Sequence, residues 1–350
     1  MVDDSDRCVR FSIVGAGAIG RVHARAIACI PRARLTVVGS RNPQQGRALA
    51  DEYGALWVPD YGEAAVHPQA DVVCVCTPTG THAQVAVGAA EAGKHLVVEK
   101  PLDVTLERAD QIIAAARAAQ VKFTTVFPYR FMAGSAAARR AVGAGRLGRL
   151  TLVEGRIAWY RSQEYYDGGG WRGTWHLDGG GALMNQSIHT IDLLQWLAGP
   201  VRSVYGRVAT LTHRMETEDT AVAVLALKDG GLGVIEGATS CWPGEPARVT
   251  LRGERGTIAL QEGRIVTWRL ADSTAGEEES MLALEDSQGS GSADPAGISC
   301  EQHRRQIADM VDAIWDDRAP MVDGAEGRKV LEIILAIYRA SQSGQPVEVS

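Results

Sequence analysis

The chain has 350 residues, 45% of them hydrophobic and 22% charged, and this length favours two domains that each bury a core. The formal net charge is -6 and the Lys and Arg residues are scattered, which argues against nucleic acid as a partner. The acidic start lacks the features of a signal peptide and no apolar stretch approaches the roughly 18 residues that span a bilayer, so we expect a cytoplasmic protein without membrane contact.

The first part of the chain alternates short apolar runs with helical patterns. Residues 9–14 form a strand-like run, a glycine-rich turn follows, and apolar residues recur at helical spacing over 21–30. Further strands are predicted at 35–39, 55–58, 72–76, 96–99 and 122–127, with helices at 43–53, 82–92 and 106–119. This alternation predicts an α/β domain over residues 1–127, a doubly wound parallel sheet of the Rossmann type.

After residue 127 the pattern changes to longer runs with strand-like alternation. Strands are predicted at 150–160, 201–211, 220–227, 231–239, 247–252, 256–261 and 264–270, with turn signals typical of hairpins between them. Helices are predicted at 181–197, 301–316 and 324–343, and the acidic, Gly/Ser-rich segment 272–299 is predicted to be an exposed loop. Residues 128–350 are therefore expected to form a substrate-binding and oligomerisation domain of the α+β class, with a large, mainly antiparallel open sheet.

A dinucleotide-binding motif lies between the first predicted strand and the first predicted helix. Gly15, Gly17 and Gly20 match the GxGxxG pattern, in which the glycines permit a tight turn, close approach of the backbone to a pyrophosphate, and close packing of helix on strand. Ala18 and Ile19 complete the loop, whose phosphate ligand is expected at the helix N-terminus.

The end of the second strand bears on the choice between NAD and NADP. An enzyme that prefers NAD usually has Asp or Glu there, whereas this sequence has Ser40 and Arg41, a hydroxyl and a guanidinium that suit a 2'-phosphate. The pattern favours NADP slightly, and NAD stays open because both residues are also ordinary loop residues.

The six cysteines and eight histidines show no metal-ligand spacing, so we expect no metal.

Further motifs reveal a family resemblance over essentially the whole chain. They are the sequence Glu99-Lys100-Pro101 at a strand end, the segment from Gly179 to Asp192 with its three glycines and His189, and the segment from Thr77 to His82. Together with the glycine loop they resemble the glucose-fructose oxidoreductase / inositol dehydrogenase / rhizopine catabolism (Gfo/Idh/MocA) family. The resemblance implies an NAD(P)-dependent dehydrogenase or reductase that transfers a hydride to or from a carbinol or carbonyl carbon of a sugar, cyclitol or nucleotide-sugar derivative.

The resemblance also implies roles for individual residues. Lys100 is expected to be catalytic, in contact with substrate and cofactor, with a cis peptide before Pro101; His189 is expected to exchange the proton of the reacting hydroxyl, a task that suits an imidazole. Thr77, Pro78, His82 and Glu99 are expected to line the cofactor.

The segment around His189 departs from the commonest family pattern. Asn185 stands where Asp usually precedes the histidine by four residues, and an amide cannot take a proton. On an α-helix Asn185, His189 and Asp192 would share one face, with Asp192 as the only nearby carboxylate on it. A variant with asparagine at this position resembles family members that act on nucleotide sugars or amino sugars.

The substrate side of the predicted site is completed by residues from several segments. They are Lys100, Arg130, Tyr160, Arg172, Asn185, His189 and Asp192. Arg130 lies where the chain passes from the first domain to the second, and its alternative role is a structural one.

Two alternative functions and an assembly prediction remain from the sequence. The alternatives are an enzyme with a nonreleasing dinucleotide that oxidises and re-reduces its substrate, and a non-catalytic dinucleotide-binding sensor. The open face of the second-domain sheet predicts a homodimer or homotetramer.

Overall fold

The computed structural model describes residues 8–284 and 299–350. In chain order the elements are β1 (Val9–Val14), α1 (Ala18–Ala28), β2 (Ala33–Gly39), α2 (Pro43–Tyr53), β3 (Leu56–Val58), α3 (Tyr61–Ala65), β4 (Val72–Val75), α4 (His82–Glu91), β5 (His95–Val98), α5 (Leu106–Ala118), β6 (Phe123–Thr125), α6 (Ala133–Gly143), β7 (Leu150–Ala158), α7 (Gln163–Asp167), a π-helical turn (Ala182–Ser187), α8 (Ile188–Ala198), β8 (Val201–Ala209), β9 (Thr220–Leu227), β10 (Leu232–Ala238), β11 (Arg248–Gly253), β12 (Gly256–Gln261), β13 (Arg264–Leu270), α9 (Ala275–Leu282), α10 (Glu301–Trp315), α11 (Gly324–Ser343) and β14 (Val347–Glu348).

The described residues fall into two compact units. The first runs to Pro128 and takes in a later stretch that ends at Arg328; the second starts at Tyr129 and is completed by Lys329–Ser350. None of the helices in the described part of the chain is long and apolar enough to cross a membrane.

The first unit contains a six-stranded sheet with the order β3-β2-β1-β4-β5-β6. All of its strand pairs are parallel, which confirms the predicted Rossmann sheet. Local sequence explains where its helices begin and end. Asn42 caps α2 by accepting a hydrogen bond from the Gln45 N–H, Pro43 is the first helical residue, and Gly54 ends the helix in the left-handed region.

The first unit also contains α10, which the sequence had been expected to place in the second domain. Ile307, Met310 and Val311 of this helix are buried in the same hydrophobic core as Phe11 and Ile27. The apolar stripe of α10 is visible in the sequence, but the core that covers it is about 300 residues away along the chain, so only tertiary packing assigns the helix to this unit.

The second unit contains an eight-stranded sheet with the order β13-β12-β11-β7-β10-β9-β8-β14. Its neighbours are antiparallel except for β7 and β10, which are parallel, so the predicted mainly antiparallel sheet is confirmed. Helix α8 packs on one face of this sheet, where the Cβ position of Gly155 on β7 lies next to Leu194 and Thr190.

The predicted loop over 272–299 is partly helical. Thr274 caps α9 by accepting from the Glu277 N–H, and Arg146 pairs with both Asp272 and Glu277. The acidic composition of this segment predicts a loop, because composition does not show the Thr274 cap or the ion pairs with Arg146. Residues 285–298 of the predicted loop lie outside the described residues.

Candidate active site

The glycine loop has the geometry that a bound pyrophosphate requires. A Cβ on Gly15, whose φ is 110°, would overlap the Cys76 carbonyl oxygen, and a Cβ on Gly20 would overlap the Gly15 carbonyl oxygen. Gly17 is different, since a Cβ there would have nothing within 4 Å. The space in front of Gly17 adjoins the first turn of α1, where Ala18, Ile19 and their neighbours present amides without an intrahelical acceptor. The loop therefore fits a dinucleotide.

The end of β2 places Ser40 and Arg41 differently. Ser40 is buried, and its hydroxyl donates to the Asn42 carbonyl oxygen at 3.0 Å, within the turn that starts α2. Arg41 is exposed, with its guanidinium 4.4 Å from the centre of the Tyr61 ring. Of the two, Arg41 presents its polar atoms to solvent.

His82 connects the loops that follow β4 and β5. It is buried, with Nε2 2.9 Å from the Thr77 carbonyl oxygen and Nδ1 3.0 Å from the Pro101 carbonyl oxygen. The Thr77 hydroxyl shares a hydrogen bond of 2.8 Å with Thr81, whose N–H donates to the Pro78 carbonyl oxygen. These contacts hold the backbone on which Thr77, Pro78 and Lys100 stand.

Glu99 points into a buried cluster with two histidines that sequence reasoning missed. Its Oε1 is 2.8 Å from Nε2 of His23 on α1, and His303 of α10 lies beside them, with its ring centre 5.6 Å from that of His23. Burial raises the pKa of the Glu99 carboxyl, but the hydrogen bond and charge of His23 outweigh it and lower this pKa to about 2. Burial lowers the pKa of His303 to about 4, so that ring is neutral at pH 7.

The cluster also fixes the backbone at Lys100. The second carboxylate oxygen of Glu99 accepts the Lys100 N–H at 3.1 Å. Lys100 is half-buried at the end of β5, and its peptide bond to Pro101 is cis, as the family resemblance implied. His23 and His303 are far from Glu99 in the sequence and form no spaced motif with it. The sequence therefore contains no signal that predicts this cluster.

In the second unit, the helix predicted over 181–197 divides into two parts. Residues 182–187 form a π-helical turn and α8 starts only at Ile188. Hydrogen bonds in a π-turn run from i to i+5, so side-chain directions differ from those of an α-helix. The expectation that Asn185, His189 and Asp192 lie on one regular α-helix is therefore wrong, since Asn185 belongs to the π-turn and His189 and Asp192 belong to α8. Asn185 and His189 are half-buried, and Asp192 is fully buried.

His189 is the second residue of α8. Its ring lies against Tyr129, with 5.5 Å between the ring centres and 36° between the planes. Tyr129 is itself half-buried, and burial of its hydroxyl group raises the pKa of the phenol. The uncharged Tyr129 ring therefore packs on one side of the imidazole and limits its rotation.

Asp192 and Arg130 form a buried ion pair. Arg130 is 1% exposed and Asp192 is not exposed, and the guanidinium donates to both carboxylate oxygens at 2.9 and 2.5 Å. A pair of this kind anchors the chain at Arg130 to α8. The substrate roles assigned to these two residues from the sequence stay predictions.

Asn185 contacts a carboxylate that sequence reasoning missed. Its Nδ2 donates to Oδ1 of Asp178 at 2.6 Å, while Oδ2 of the buried Asp178 accepts the Gly173 N–H. Asp178 stands directly before the three glycines, a position that the sequence makes visible but that no helical spacing links to Asn185. Asp192 is thus not the only carboxylate near the π-turn.

A cationic and aromatic network continues from Asn185. The Gln186 side chain donates to Oδ1 of Asn185 and to the Tyr165 hydroxyl, both at 2.9 Å, and accepts from Arg161 at 2.9 Å. The guanidinium of Arg172 lies 4.6 Å from the centre of the Tyr165 ring. The guanidinium of Arg161 lies 5.6 Å from the centre of the same ring, so two positive charges lie near one tyrosine beside the π-turn.

Tyr160 lies at the end of β7 near this network. Its carbonyl oxygen accepts from Arg161, and its ring packs edge to face on Trp242 at 5.0 Å. Trp242 is 77% exposed. The predicted residues Tyr160, Arg172, Asn185 and His189 are thus all half-buried in the second unit, and Tyr165 and Asp178 are additions from the structure.

Comparison with known proteins agrees with these features. Residues 9–127 match the oxidoreductase family with an NAD-binding Rossmann fold, and residues 135–259 match the GFO/IDH/MocA C-terminal domain. The fold, the glycine loop and these matches define an NAD-binding oxidoreductase. The chain belongs to the Gfo/Idh/MocA family, which confirms the resemblance and the dehydrogenase or reductase function expected from it.

Relatives at about 30% identity include an enzyme and a solved structure. The inositol 2-dehydrogenase of Rhizobium meliloti is 30% identical over 272 residues, which cover 75% of this chain and 78% of that protein. The WlbA dehydrogenase of Bordetella pertussis, solved in complex with NADH and UDP-GlcNAcA, is 32% identical, with a TM-score of 0.90 and 99% of each chain covered. The myo-inositol 2-dehydrogenase of Thermotoga maritima is 25% identical over 97% of this chain and 98% of that protein.

Proposed function

We propose that this chain uses NAD to oxidise a secondary hydroxyl group of an acidic, nucleotide-linked sugar. The observation that carries the proposal is a pair of guanidinium groups near one ring: Arg161 lies 5.6 Å and Arg172 4.6 Å from the centre of the Tyr165 ring. Arg161 is also linked to Asn185 by hydrogen bonds through Gln186. Guanidinium groups bind carboxylates and phosphates through paired hydrogen bonds, and a neutral cyclitol needs neither. The similarity to a dehydrogenase solved with UDP-GlcNAcA supports the same substrate class.

The residues divide the chemistry between them. The nicotinamide, when bound, supplies the acceptor for the hydride that leaves the carbinol carbon. His189 takes the proton of the reacting hydroxyl, because a neutral imidazole is the side chain best suited to accept a proton near pH 7. The ammonium of Lys100 stabilises negative charge that develops on a substrate oxygen. Asn185, held by Asp178 at 2.6 Å, orients a substrate hydroxyl without exchanging protons.

A substrate panel tests this assignment. Reduction of NAD is followed at 340 nm with UDP-N-acetylglucosaminuronate, with its uncharged parent UDP-N-acetylglucosamine and with myo-inositol. We expect the highest kcat/KM for the acidic sugar, and in Arg172→Gln a rise of KM of about tenfold or more for that substrate alone. The matched control is Arg264→Gln, at an exposed arginine of β13. Preferential oxidation of myo-inositol would contradict the substrate class and leave the dehydrogenase function intact.

The choice of NAD rests on the end of β2. The Ser40 hydroxyl is engaged with Asn42, so only Arg41 remains to contact a 2'-phosphate. The preference for NADP that the sequence favours therefore depends on Arg41. Calorimetric titration of NADH and NADPH into the wild type and Arg41→Ala decides between them: we expect tighter NADH binding in both proteins. NADPH preference that disappears in Arg41→Ala would reverse this assignment, and cofactor retained through purification would favour the nonreleasing enzyme.

We also propose that the second-unit sheet mediates a homo-oligomer. On its open face Val224 pairs with Tyr205 on β8 and with Val234 on β10, and Leu232 pairs with Leu152 on β7. Val224 is 54% and Leu232 60% exposed, a strongly apolar centre for a surface. Ion pairs flank this centre on the same face, Arg156 with Glu236 and Arg252 with Glu154. An apolar centre with alternating charges at its edge is complementary to a second copy of itself.

A further inference from the structure

Glu218 lies just before β9 and contacts the start of the π-helical turn. It is 2% exposed. Its Oε2 accepts the Gly181 N–H at 3.0 Å, its Oε1 accepts the Leu183 N–H at 2.8 Å, and its carbonyl oxygen accepts the Ala182 N–H at 2.9 Å. One residue thus satisfies three consecutive backbone amides of the turn that precedes His189.

These amides have few other ways to be satisfied. The first amides of a helical segment have no partner within it, and a buried N–H without an acceptor destabilises the fold. The glycines before the turn permit the close approach, because a Cβ on Gly181 would overlap the Glu218 carbonyl oxygen and a Cβ on Gly180 would overlap the Tyr338 hydroxyl. Gly180 and Gly181 are therefore matched to Tyr338 and Glu218.

Tyr338 of α11 fixes the carboxylate in turn. Its hydroxyl donates to Oε1 of Glu218 at 2.8 Å, and Trp175 packs edge to face on its ring at 5.4 Å. Glu218 cannot change rotamer without losing this bond and both amides. The Glu218 carboxylate is thus held in one orientation by a residue of α11, which is distant in sequence.

The π-turn transmits this constraint to Asn185 and His189. Asn185 lies within it, and α8 continues from it without a break, so that His189 follows two residues after its end. The Ser187 hydroxyl donates to the Ala182 carbonyl oxygen at 2.7 Å and ties the end of the turn to its start. A rotation at Gly181 to Leu183 would therefore move both Asn185 and His189.

We propose that Glu218 is the positioning residue of the substrate site, which sets the orientation of Asn185 and His189 through the π-turn. The proposal rests on the role proposed above for His189. Glu218 does not touch the reacting atoms. A misplacement of a reacting group by about 1 Å is enough to cost on the order of 100-fold in rate.

Kinetics of three variants give the first test. Glu218→Gln keeps the shape but turns one acceptor into an N–H that faces backbone amides, so we expect kcat to fall by about tenfold or more with little change in the KM for the dinucleotide. Glu218→Ala should lose more, and Tyr338→Phe, which removes one donor and strands no amide, should lose least. Glu332→Gln, a buried glutamate of α11 that accepts the Ser350 N–H, is the matched control.

A spectroscopic readout separates this proposal from the proposed function. With 15N-labelled histidine, the ring signals of His189 are assigned by their loss in His189→Gln, and their shifts and titration are compared between the wild type, Glu218→Gln, Tyr338→Phe and Glu332→Gln. We expect the His189 signals to change in Glu218→Gln and to stay in place in Glu332→Gln, whether or not the substrate is the right one. Unchanged signals and unchanged kcat in a folded Glu218→Gln protein would overturn the positioning role. A wild type inactive on every sugar, with His189 signals that respond to Glu218→Gln, would overturn only the proposed function.

Discussion

Gly17 and Gly20 belong to one loop but are glycines for different physical reasons. The Cβ of any residue at position 20 would overlap the Gly15 carbonyl oxygen, so packing of helix on strand requires glycine there. Position 17 has open space around it and a φ of -73°, which any residue adopts. Glycine at 17 therefore serves the ligand, and glycine at 20 serves the fold.

This difference predicts opposite effects of the same substitution. Gly17→Ala should leave the melting temperature nearly unchanged and weaken dinucleotide binding, because the added methyl occupies the space that a pyrophosphate needs. Gly20→Ala should lower the melting temperature by several degrees, since backbone must shift to relieve the overlap. Calorimetric titration and thermal melting of both variants measure the two effects. Equal loss of stability in the two proteins would show that position 17 is also a packing position.

Lys100 and His189 should behave as chemical groups rather than as binding groups. Lys100→Met and His189→Ala should each lower kcat by about 10²–10⁴-fold, while dinucleotide affinity stays nearly unchanged, because the role proposed for each is in the chemical step. Steady-state kinetics over a range of pH checks this, and His189→Ala should also lose the acid limb that the imidazole contributes. Near-normal turnover of either variant would remove that residue from the mechanism.

At the scale of single elements, periodicity identified the helix after the triple glycine but not its form. The apolar residues from Leu183 to Leu194 repeat closely enough to predict one α-helix, yet the first six residues form a π-turn. The reason is tertiary: Glu218 holds the amides of the turn, and the Cβ position of Gly237 on β10 lies next to Ser187 and Leu183. No local pattern contains that information.

His303 of α10 makes the stability of the first unit depend on pH. Its pKa in the folded protein, about 4, is lower than the ordinary value of 6.5. The contribution of such a base to the free energy of unfolding is fully present above pH 6.5. As the pH falls from about 6.5 to about 4, the unfolded protein takes up a proton that the folded protein does not, and the free energy of unfolding drops by roughly 3 kcal/mol. Glu99, with a pKa of about 2, loses its own contribution only at lower pH.

Substitution of His303 should remove this acid sensitivity. In His303→Leu the free energy of unfolding, measured by urea titration from pH 7 to pH 4, should vary less with pH than in the wild type, because the group that must take up a proton is gone. His176→Leu, at an exposed histidine, is the control and should keep the wild-type dependence. An unchanged pH dependence in His303→Leu would mean that another group causes the acid loss.

For the whole molecule, the open face of the second-unit sheet predicts the state of association. Val224→Glu places a carboxylate in the apolar centre between Tyr205 and Val234, and burial of an unpaired charge in an interface is costly. We expect light scattering at micromolar concentration to show an oligomer for the wild type and a smaller species for Val224→Glu. Val66→Glu, a change at a residue of the first unit that is 45% exposed, should leave the oligomer intact. A monomeric wild type would refute the assembly.

The sequence by itself determined what depends on local and periodic patterns. The alternation of strands and helices specified the parallel sheet, period-two runs and turns specified the antiparallel one, and the glycine loop, Glu99-Lys100-Pro101 and the His189 segment indicated the family, because each needs only neighbours along the chain. Only the tertiary structure decided the partners of those residues: His23 and His303 for Glu99, Asp178 for Asn185, Arg130 for Asp192, and Glu218 for the π-turn. Each of these contacts satisfies a buried polar group, and which groups become buried together is a property of packing between distant segments.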